Sequence, residues 1–327
     1  MSGTTGTSLE GKRIVVTGGA GFIGSHLVDQ LLALGAARVA VVDNLFLGKL
    51  ENLDAANAQG DRFHFYCEDA AERDAMQSVI GTEQPDIVFN LATKALLYSF
   101  FNPAGACRVN LEIALVLGEL QRLGMFERLV HVSTSEVYGS AVTIPMNEDH
   151  PLLAETTYAA GKAAADLAIA SYVNQYSLNV TTIRPFNNYG PRQNEGAMAA
   201  VVPLTIRRIL TGQKPVIQGD GMQTRDFVYV GDTVEGLVRV ALRDDLRGEV
   251  LNLASGRETT IRDIVENVCK LLDYKGEVLF ETSRTADVRR HLAGVAKAEQ
   301  ILGEVAPTRL EDGLSSTVEW YRGRNES

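Results

Sequence analysis

The chain has 327 residues, of which 45% are hydrophobic, with a mean hydropathy of −0.02 and a formal net charge of −10. These values are ordinary for a globular protein of one large α/β domain or two smaller ones. The acidic balance argues against nucleic acid as the main partner, and no apolar run approaches the ~20 residues of a membrane span.

The three cysteines, Cys67, Cys107 and Cys269, lie far apart in the chain and lack metal-ligand spacing. Neither a disulfide framework nor a metal site is therefore expected. The first ten residues are small and polar and lack the apolar core of a signal peptide. We expect a cytoplasmic protein without a bound metal and without a membrane partner.

Short β-branched runs alternate with helix-like stretches over the first 183 residues. The predicted strands span residues 13–16, 38–42, 63–66, 87–89, 129–132 and 180–183, and the first helix spans residues 23–34. Continuous apolar strands between helices predict a parallel sheet that is covered on both faces. Right-handed crossovers would then give a doubly wound, Rossmann-like α/β fold.

The rhythm changes at Arg184 and Pro185, after which glycine-rich, polar turns separate shorter elements. We predict a cofactor-binding domain over residues 1–183. A smaller, mainly substrate-binding domain follows over residues 184–327, with an approximate boundary at which the two can interleave.

Glycines at positions 18, 21 and 24 follow the first predicted strand and open the first helix. Such a turn lets backbone N–H groups approach a pyrophosphate, and the helix N-terminus adds partial positive charge. The placement between strand and helix predicts a dinucleotide site more strongly than the glycines alone.

Asp43 closes the second strand, where a carboxylate can bind the adenosine ribose hydroxyls and repel a 2′-phosphate. This position favours NAD over NADP. The alternative is that Asp43 and Asn44 only form a turn. The full predicted cofactor set is Gly18, Gly21, Phe22, Ile23, Gly24, Asp43, Asn44, Asp69, Ala70, Leu91, Tyr158, Lys162 and Pro185.

Tyr158 and Lys162 are four residues apart, so a helix places them on one face. A phenol titrates near ~10 in water, and a fixed ammonium lowers the pKa of the phenol. Together with the cofactor motif, this pair indicates alcohol–ketone redox chemistry. The alternative is that an isolated Tyr-x-x-x-Lys is only helix surface.

The motifs together resemble the extended short-chain dehydrogenase/reductases, specifically the nucleotide-sugar epimerases, dehydratases and decarboxylases. The similar segments are residues 133–139, 158–162, 184–192, 223–227 and 286–290. The resemblance implies that Tyr158 takes the proton from the sugar C4 hydroxyl, and that Lys162 lowers the pKa of Tyr158. It also implies a homodimer and a nucleotide-sugar substrate, best fitted by a UDP-linked sugar.

The same resemblance implies that Thr134 holds the reacting oxygen and that Ser135 and Glu136 complete the catalytic set. The implied substrate contacts are Thr134, Asn187, Arg192, Gln218, Arg225 and Arg289. Family members usually carry one more residue near Thr93 and Lys94, so no role is transferred to these two residues. Lys94 either meets an anionic substrate group or is solvated.

Thr134-Ser135-Glu136 is the pattern of the UDP-glucuronate decarboxylases, which form UDP-4-keto-pentose or UDP-xylose. A serine in the middle position is a weaker acid than the aspartate of most 4,6-dehydratases, and an epimerase needs no carboxylate at Glu136. His291, however, stands where the decarboxylases carry arginine, and some dehydratases also show Thr-Ser-Glu. We predict a decarboxylase, with 4,6-dehydratase and 4-epimerase as alternatives.

A non-enzymatic NAD-binding sensor or scaffold is the remaining alternative. Proteins of that kind commonly lose the tyrosine or the lysine, whereas Tyr158, Lys162 and Thr134 are all present.

Overall fold

The computed structural model describes residues 8–196, 199–282 and 289–325. The strands are β1 (Arg13–Thr17), β2 (Arg38–Val42), β3 (Phe63–Tyr66), β4 (Ile87–Asn90), β5 (Arg128–Val132), β6 (Asn179–Pro185), β7 (Asn187–Tyr189), β8 (Val216–Gln218), β9 (Thr224–Arg225), β10 (Phe227–Tyr229), β11 (Val250–Leu253), β12 (Thr259–Thr260) and β13 (Leu279–Glu281). The helices are α1 (Phe22–Ala33), α2 (Asp54–Asn57), α3 (Arg73–Glu83), α4 (Pro103–Arg122), α5 (Thr157–Tyr176), α6 (Val201–Leu210), α7 (Val230–Ala241), α8 (Ile261–Leu271), α9 (Ala296–Leu302) and α10 (Leu310–Asn325).

Seven parallel strands form the central sheet in the order β11-β6-β5-β4-β1-β2-β3. Side chains alternate between its faces. On β1, Ile14 and Val16 pack with residues of α1 and α7, whereas Val15 packs with residues of α3, α4 and α5. The sheet is thus covered on both faces, and the predicted doubly wound α/β fold is confirmed.

The seventh strand, β11, comes from beyond residue 184 and pairs with β6. Helix α7 also comes from this later part of the chain and packs against the core of the sheet. The central sheet therefore includes residues from both predicted domains. The division at residues 183 and 184 stays a prediction.

A second hydrophobic core lies among α6, α8 and α10, around Tyr189, Ile206, Ile264 and Leu314. Three two-stranded sheets, β7 with β10, β8 with β13 and β9 with β12, belong to this part of the chain. No helix of the described residues is long and apolar enough to cross a membrane.

Two helix caps fix the helices that border the site. The side chain of Thr156 accepts a hydrogen bond from the amide of Ala159 at 3.1 Å and begins α5. The side chain of Asn102 accepts from the amide of Gly105 at 3.0 Å and begins α4, with Pro103 in its first turn. Because α5 begins at Thr157, Tyr158 lies in its first turn.

Candidate active site

A cleft with a cavity volume of about 360 Å³ lies at the carboxyl ends of β1, β2, β4 and β5. Every residue of the predicted cofactor set lines it. Those residues are Gly18, Gly21, Phe22, Ile23, Gly24, Asp43, Asn44, Asp69, Ala70, Leu91, Tyr158, Lys162 and Pro185. Parallel strands present their carboxyl ends at one edge, which explains how residues from 18 to 185 meet there.

The glycine turn forms one wall of this cleft. Gly18 has a φ of 71°, and a Cβ atom there would lie 2.7 Å from the amide nitrogen of Ala92. A Cβ atom at Gly24 would collide with the carbonyl oxygen of Gly18. Gly21 caps α1 without a side-chain hydrogen bond, and Phe22, Ile23 and Gly24 of the first turn line the cleft. The first-turn amides of a helix have no acceptor within the helix. This cradle fits the pyrophosphate of a dinucleotide.

Asp43 lies at the edge of the same cleft and is buried. Its carboxylate accepts hydrogen bonds from the amide of Ala20 at 3.0 Å and from that of Leu45 at 2.8 Å. Burial raises the pKa of Asp43, and these two hydrogen bonds and the charge of Lys94 oppose the rise. Asp43 thus shapes the turn as well as lining the cleft. Its binding of the ribose hydroxyls stays a prediction.

Tyr158 and Lys162 lie on one face of α5, and both are buried in the cleft wall. Burial raises the pKa of Tyr158 to about 12; hydrogen bonding by Thr134 and Thr93 opposes this rise, and the charge of Glu136 adds to it. Lys162 Nζ donates to the carbonyl oxygen of Val132 at 2.7 Å. Burial lowers the pKa of Lys162 to about 8, against the charge of Asp166. The predicted action of Lys162 on Tyr158 stays a prediction.

A short 3-10 helix, Ser135–Tyr138, follows β5, and Thr134 is its N-cap. Thr134 lines the cleft, and its Oγ1 accepts a hydrogen bond from the amide of Glu136 at 3.3 Å. Glu136 is half-buried and acts on Tyr158 through its charge. Ser135 is buried, and neither Ser135 nor Glu136 belongs to the cleft lining.

Asn110 on α4 is a residue that the sequence reasoning missed. It is buried, and its Oδ1 accepts hydrogen bonds at 2.9 Å from both Thr93 Oγ1 and the amide of Lys94. Asn110 thereby fixes Thr93 beside Tyr158. A polar residue on an otherwise apolar helix face was the available signal.

Lys94 lines the cleft, with Nζ 3.9 Å from the ring centroid of Phe46. A cation over an aromatic face is held electrostatically. Its charge reaches Asp43, so this lysine lies toward the Asp43 side of the cleft.

The predicted substrate contacts are not all in this cleft. Thr134 and Arg192 line it, whereas Asn187, Gln218, Arg225 and Arg289 do not. Arg192 has a φ of 63° and pairs with Asp29 at 2.7 Å. Asn187, on β7, has a buried Nδ2 without a hydrogen-bond partner in the described part of the chain.

The part of the chain after residue 184 brings together three of the predicted substrate contacts, Gln218, Arg225 and Arg289, away from the cleft. The carbonyl of Arg289 accepts from the amide of Thr224, next to Arg225, at 3.0 Å. Its exposed guanidinium pairs at 3.1 Å with Asp220, two residues after Gln218. Ala286, Asp287 and Val288 of the family segment lie outside the described residues.

His291 is buried, and the centroid of its ring lies 5.0 Å from the ring centroid of Phe186. Burial lowers the pKa of His291 to about 4, and the charge of Arg225 lowers it further, against the carbonyl of Ser135. A neutral imidazole therefore lies beside the carbonyl of Ser135.

The comparisons with known proteins agree with this geometry. The family model described as GDP-mannose 4,6 dehydratase matches residues 15–317. The chain belongs to this family, within the extended short-chain dehydrogenase/reductases. Members of the family are NAD-dependent nucleotide-sugar epimerases, dehydratases and decarboxylases, so the predictions of an enzyme and of NAD as cofactor are confirmed.

Relatives with each of the three activities are about equally similar to the chain. A UDP-glucose 4-epimerase of Mycolicibacterium smegmatis is 34% identical over 96% of this chain and 100% of its own length. UDP-glucuronic acid decarboxylase 6 of Arabidopsis thaliana is 33% identical over 95% of this chain and 89% of its own. A dTDP-glucose 4,6-dehydratase structure from Streptomyces venezuelae, with NAD bound, superposes with a TM-score of 0.90 at 31% identity. The match covers 96% of this chain and 98% of the dehydratase chain.

Proposed function

We propose that the protein is an NAD-dependent UDP-glucuronate decarboxylase that oxidises C4 of the sugar and releases carbon dioxide from the 4-keto intermediate. The observation that carries this proposal is the position of Glu136 in the short helix capped by Thr134, whose Oγ1 accepts from the Glu136 amide at 3.3 Å, with the charge of Glu136 acting on Tyr158. A carboxylate next to the redox tyrosine supports chemistry at C5 after oxidation at C4. Simple inversion at C4 has no need of it.

In the proposed reaction, Tyr158 accepts the proton of the C4 hydroxyl as C4 becomes a ketone. Thr134 and Thr93, which hydrogen-bond to Tyr158, orient this oxygen and stabilise the charge that forms on it. Lys162 supplies a positive charge and binds the cofactor ribose. Bound NAD supplies the hydride acceptor for oxidation at C4.

The second step follows from the electronic character of the product. A ketone at C4 makes the C6 carboxylate part of a β-keto acid, so the bond between C5 and C6 breaks with its electrons flowing into the enolate. Carbon dioxide leaves and C5 is then protonated. We assign Glu136 to this step and Ser135 to holding the turn that presents Glu136.

For the nucleotide we propose a UDP-linked sugar, with Asn187, Arg192, Gln218, Arg225 and Arg289 as its contacts. The buried Nδ2 of Asn187, which lacks a partner among the described residues, supports a ligand at this position. Arg225 would supply positive charge to the diphosphate, and Arg192 and Arg289 would do so on exchanging their ion pairs with Asp29 and Asp220 for it.

The second candidate function is 4-epimerisation of a UDP-sugar. It is favoured by the likeness to the epimerase of M. smegmatis and by His291 in the place of the decarboxylase arginine. A 4,6-dehydratase, which the likeness to the S. venezuelae structure favours, is the third.

We also propose a cytoplasmic homodimer that pairs through α4 and α5. Leu167 on α5 is 62% exposed, which supports an apolar contact on this helix face. Cys67, Cys107 and Cys269 form no disulfide, which suits a reducing compartment. Light scattering of the purified protein tests the dimer.

Incubation with UDP-glucuronate, UDP-glucose, UDP-N-acetylglucosamine and dTDP-glucose, followed by mass spectrometry, tests the reaction. Loss of carbon dioxide from UDP-glucuronate is the expected result. Loss of water from a neutral sugar would identify a dehydratase. Interconversion without a mass change, seen by separation of the two epimers, would identify an epimerase.

A further inference from the structure

Five neighbouring strands of the central sheet each contribute one buried polar side chain to a row beneath the cleft. The members, in sheet order, are Asn252 on β11, Arg184 on β6, His131 on β5, Asn90 on β4 and Thr17 on β1. Asn90 is in register with both Thr17 and His131. Arg184 is in register with Asn252 and lies two residues beyond Thr182, the register partner of His131, so the row steps by two residues between β5 and β6. Polar side chains so deep in a sheet are costly unless they are hydrogen-bonded to one another.

Hydrogen bonds connect the row from its β1 end. Thr17 Oγ1 donates to Asn90 Oδ1 at 2.8 Å, and Asn90 Nδ2 contacts His131 Nδ1 at 3.0 Å. An amide nitrogen only donates, so Nδ1 must accept and the neutral imidazole carries its proton on Nε2. That Nε2–H group lies 3.6 Å from Asp166 Oδ1, somewhat beyond hydrogen-bond length.

Asp166 joins this row to α5. Arg184 Nε donates to Asp166 Oδ2 at 2.9 Å, and Asp166 lies four residues after Lys162 and eight after Tyr158, on the same helix face. Burial opposes ionisation of Asp166, but the contact with His131 and the charge of Arg184 hold its pKa below the ordinary value. A carboxylate anion is thus fixed directly behind the catalytic pair.

Lys162 needs such an anion because it is 3% exposed, and burial disfavours an ammonium ion. Besides Asp166, the titratable groups near Lys162 are Tyr158, one turn earlier on α5, and neutral His131 on β5, which the charge of Lys162 reaches. Of the three, Asp166 is the one whose charge acts on Lys162 in favour of the ammonium form.

We propose that Asp166 is a positioning residue of the active site, whose carboxylate, fixed by the hydrogen bond from Arg184, keeps Lys162 charged and in place against the Val132 carbonyl. The inference deepens the proposed function, since it rests on Lys162 serving the redox step. From His131, which lies 3.6 Å from Asp166, hydrogen bonds continue through Asn90 to Thr17, the residue that precedes the glycine turn. Both halves of the cofactor cleft would share one buried support.

The test observes Lys162 itself rather than turnover. Lysines labelled with ¹³C at Cε are titrated by NMR, and the Lys162 signal is assigned by its loss in Lys162→Met. We expect a midpoint of about 8 in the unmodified protein. In Asp166→Asn the midpoint should fall by about one pH unit or more. In Asp166→Glu, which keeps a carboxylate, the midpoint should return most of the way to that of the unmodified protein. Asp86→Asn, which removes the partner of Lys12 instead, should leave the midpoint unchanged.

Asp166→Asn leaves Arg184 buried without its anion, which can prevent folding. The double variant Asp166→Asn/Arg184→Met removes the pair together and should show the same fall, because Arg184 is not among the groups that act on Lys162. An unchanged midpoint in the folded variant would overturn the proposal. The titration does not depend on which sugar reacts, so failure to decarboxylate UDP-glucuronate would count against the proposed reaction only.

Discussion

The carboxylate of Asp43 accepts a hydrogen bond from the amide of Ala20 at 3.0 Å, so the predicted ribose ligand also holds the glycine turn. Asp43→Ala should therefore weaken binding of both NAD and NADP, but that of NAD by the larger factor. The ratio of the dissociation constant for NADP to that for NAD, measured by calorimetry, should fall toward one. Asp61→Ala, an exposed change outside the cleft, serves as the control. Equal affinity of the unmodified protein for both cofactors would refute the role of Asp43.

Tyr158→Phe removes only the hydroxyl that hydrogen-bonds with Thr134 and Thr93. We expect kcat to fall by roughly 100-fold or more, as for loss of a general base, with an unchanged circular dichroism spectrum. The matched control is Tyr172→Phe, which deletes a hydroxyl bonded to Glu119 at 2.7 Å. Near-normal turnover of Tyr158→Phe would show that another group takes the C4 proton.

Glu136→Gln keeps the size of the side chain and removes the charge that raises the pKa of Tyr158. Under the decarboxylase proposal, carbon dioxide release from UDP-glucuronate should slow strongly, while oxidation at C4 continues and absorbance at 340 nm accumulates. Nucleotide binding should change little.

The control for Glu136→Gln is Glu155→Gln, which makes the same change at an exposed position. Under the dehydratase alternative, water loss and exchange of the C5 proton with solvent would fall instead. If Glu136→Gln changes neither step and C4 is merely inverted, Glu136 is structural and the epimerase alternative prevails.

His291 makes stability depend on pH. Its pKa is about 4 in the folded protein, below the ~6.5 of an unfolded histidine, so the unfolded chain binds the proton first as the pH falls. Stability from this group is complete above pH 6.5 and is lost between pH 6.5 and 4, by up to about 3 kcal/mol. Urea unfolding at several pH values should show a shallower dependence in His291→Gln. Exposed His64→Gln should keep the dependence of the unmodified protein.

Local patterns determined the first half of the fold and the cofactor cleft. The apolar runs of β1 to β6, the glycines between β1 and α1, and the four-residue spacing of Tyr158 and Lys162 are all short-range features. Once the strands are parallel, their carboxyl ends must meet at one edge. This is why the whole predicted cofactor set lines one cleft.

Only the tertiary structure decided the contacts that depend on strand order. Thr17 meets Asn90 because β1 and β4 are neighbours in the sheet. His131 lies 3.6 Å from Asp166 because α5 packs over β5. Strand β11 joins that sheet from the far part of the chain. Likewise Thr93 reaches Asn110 on α4, and Arg225 and Arg289 gather away from the cleft. Such pairings are long-range in sequence, and no periodicity of side chains encodes them. For the buried residues Thr17, Asn90 and His131, the cost of leaving a buried polar group without a partner favours the pairing.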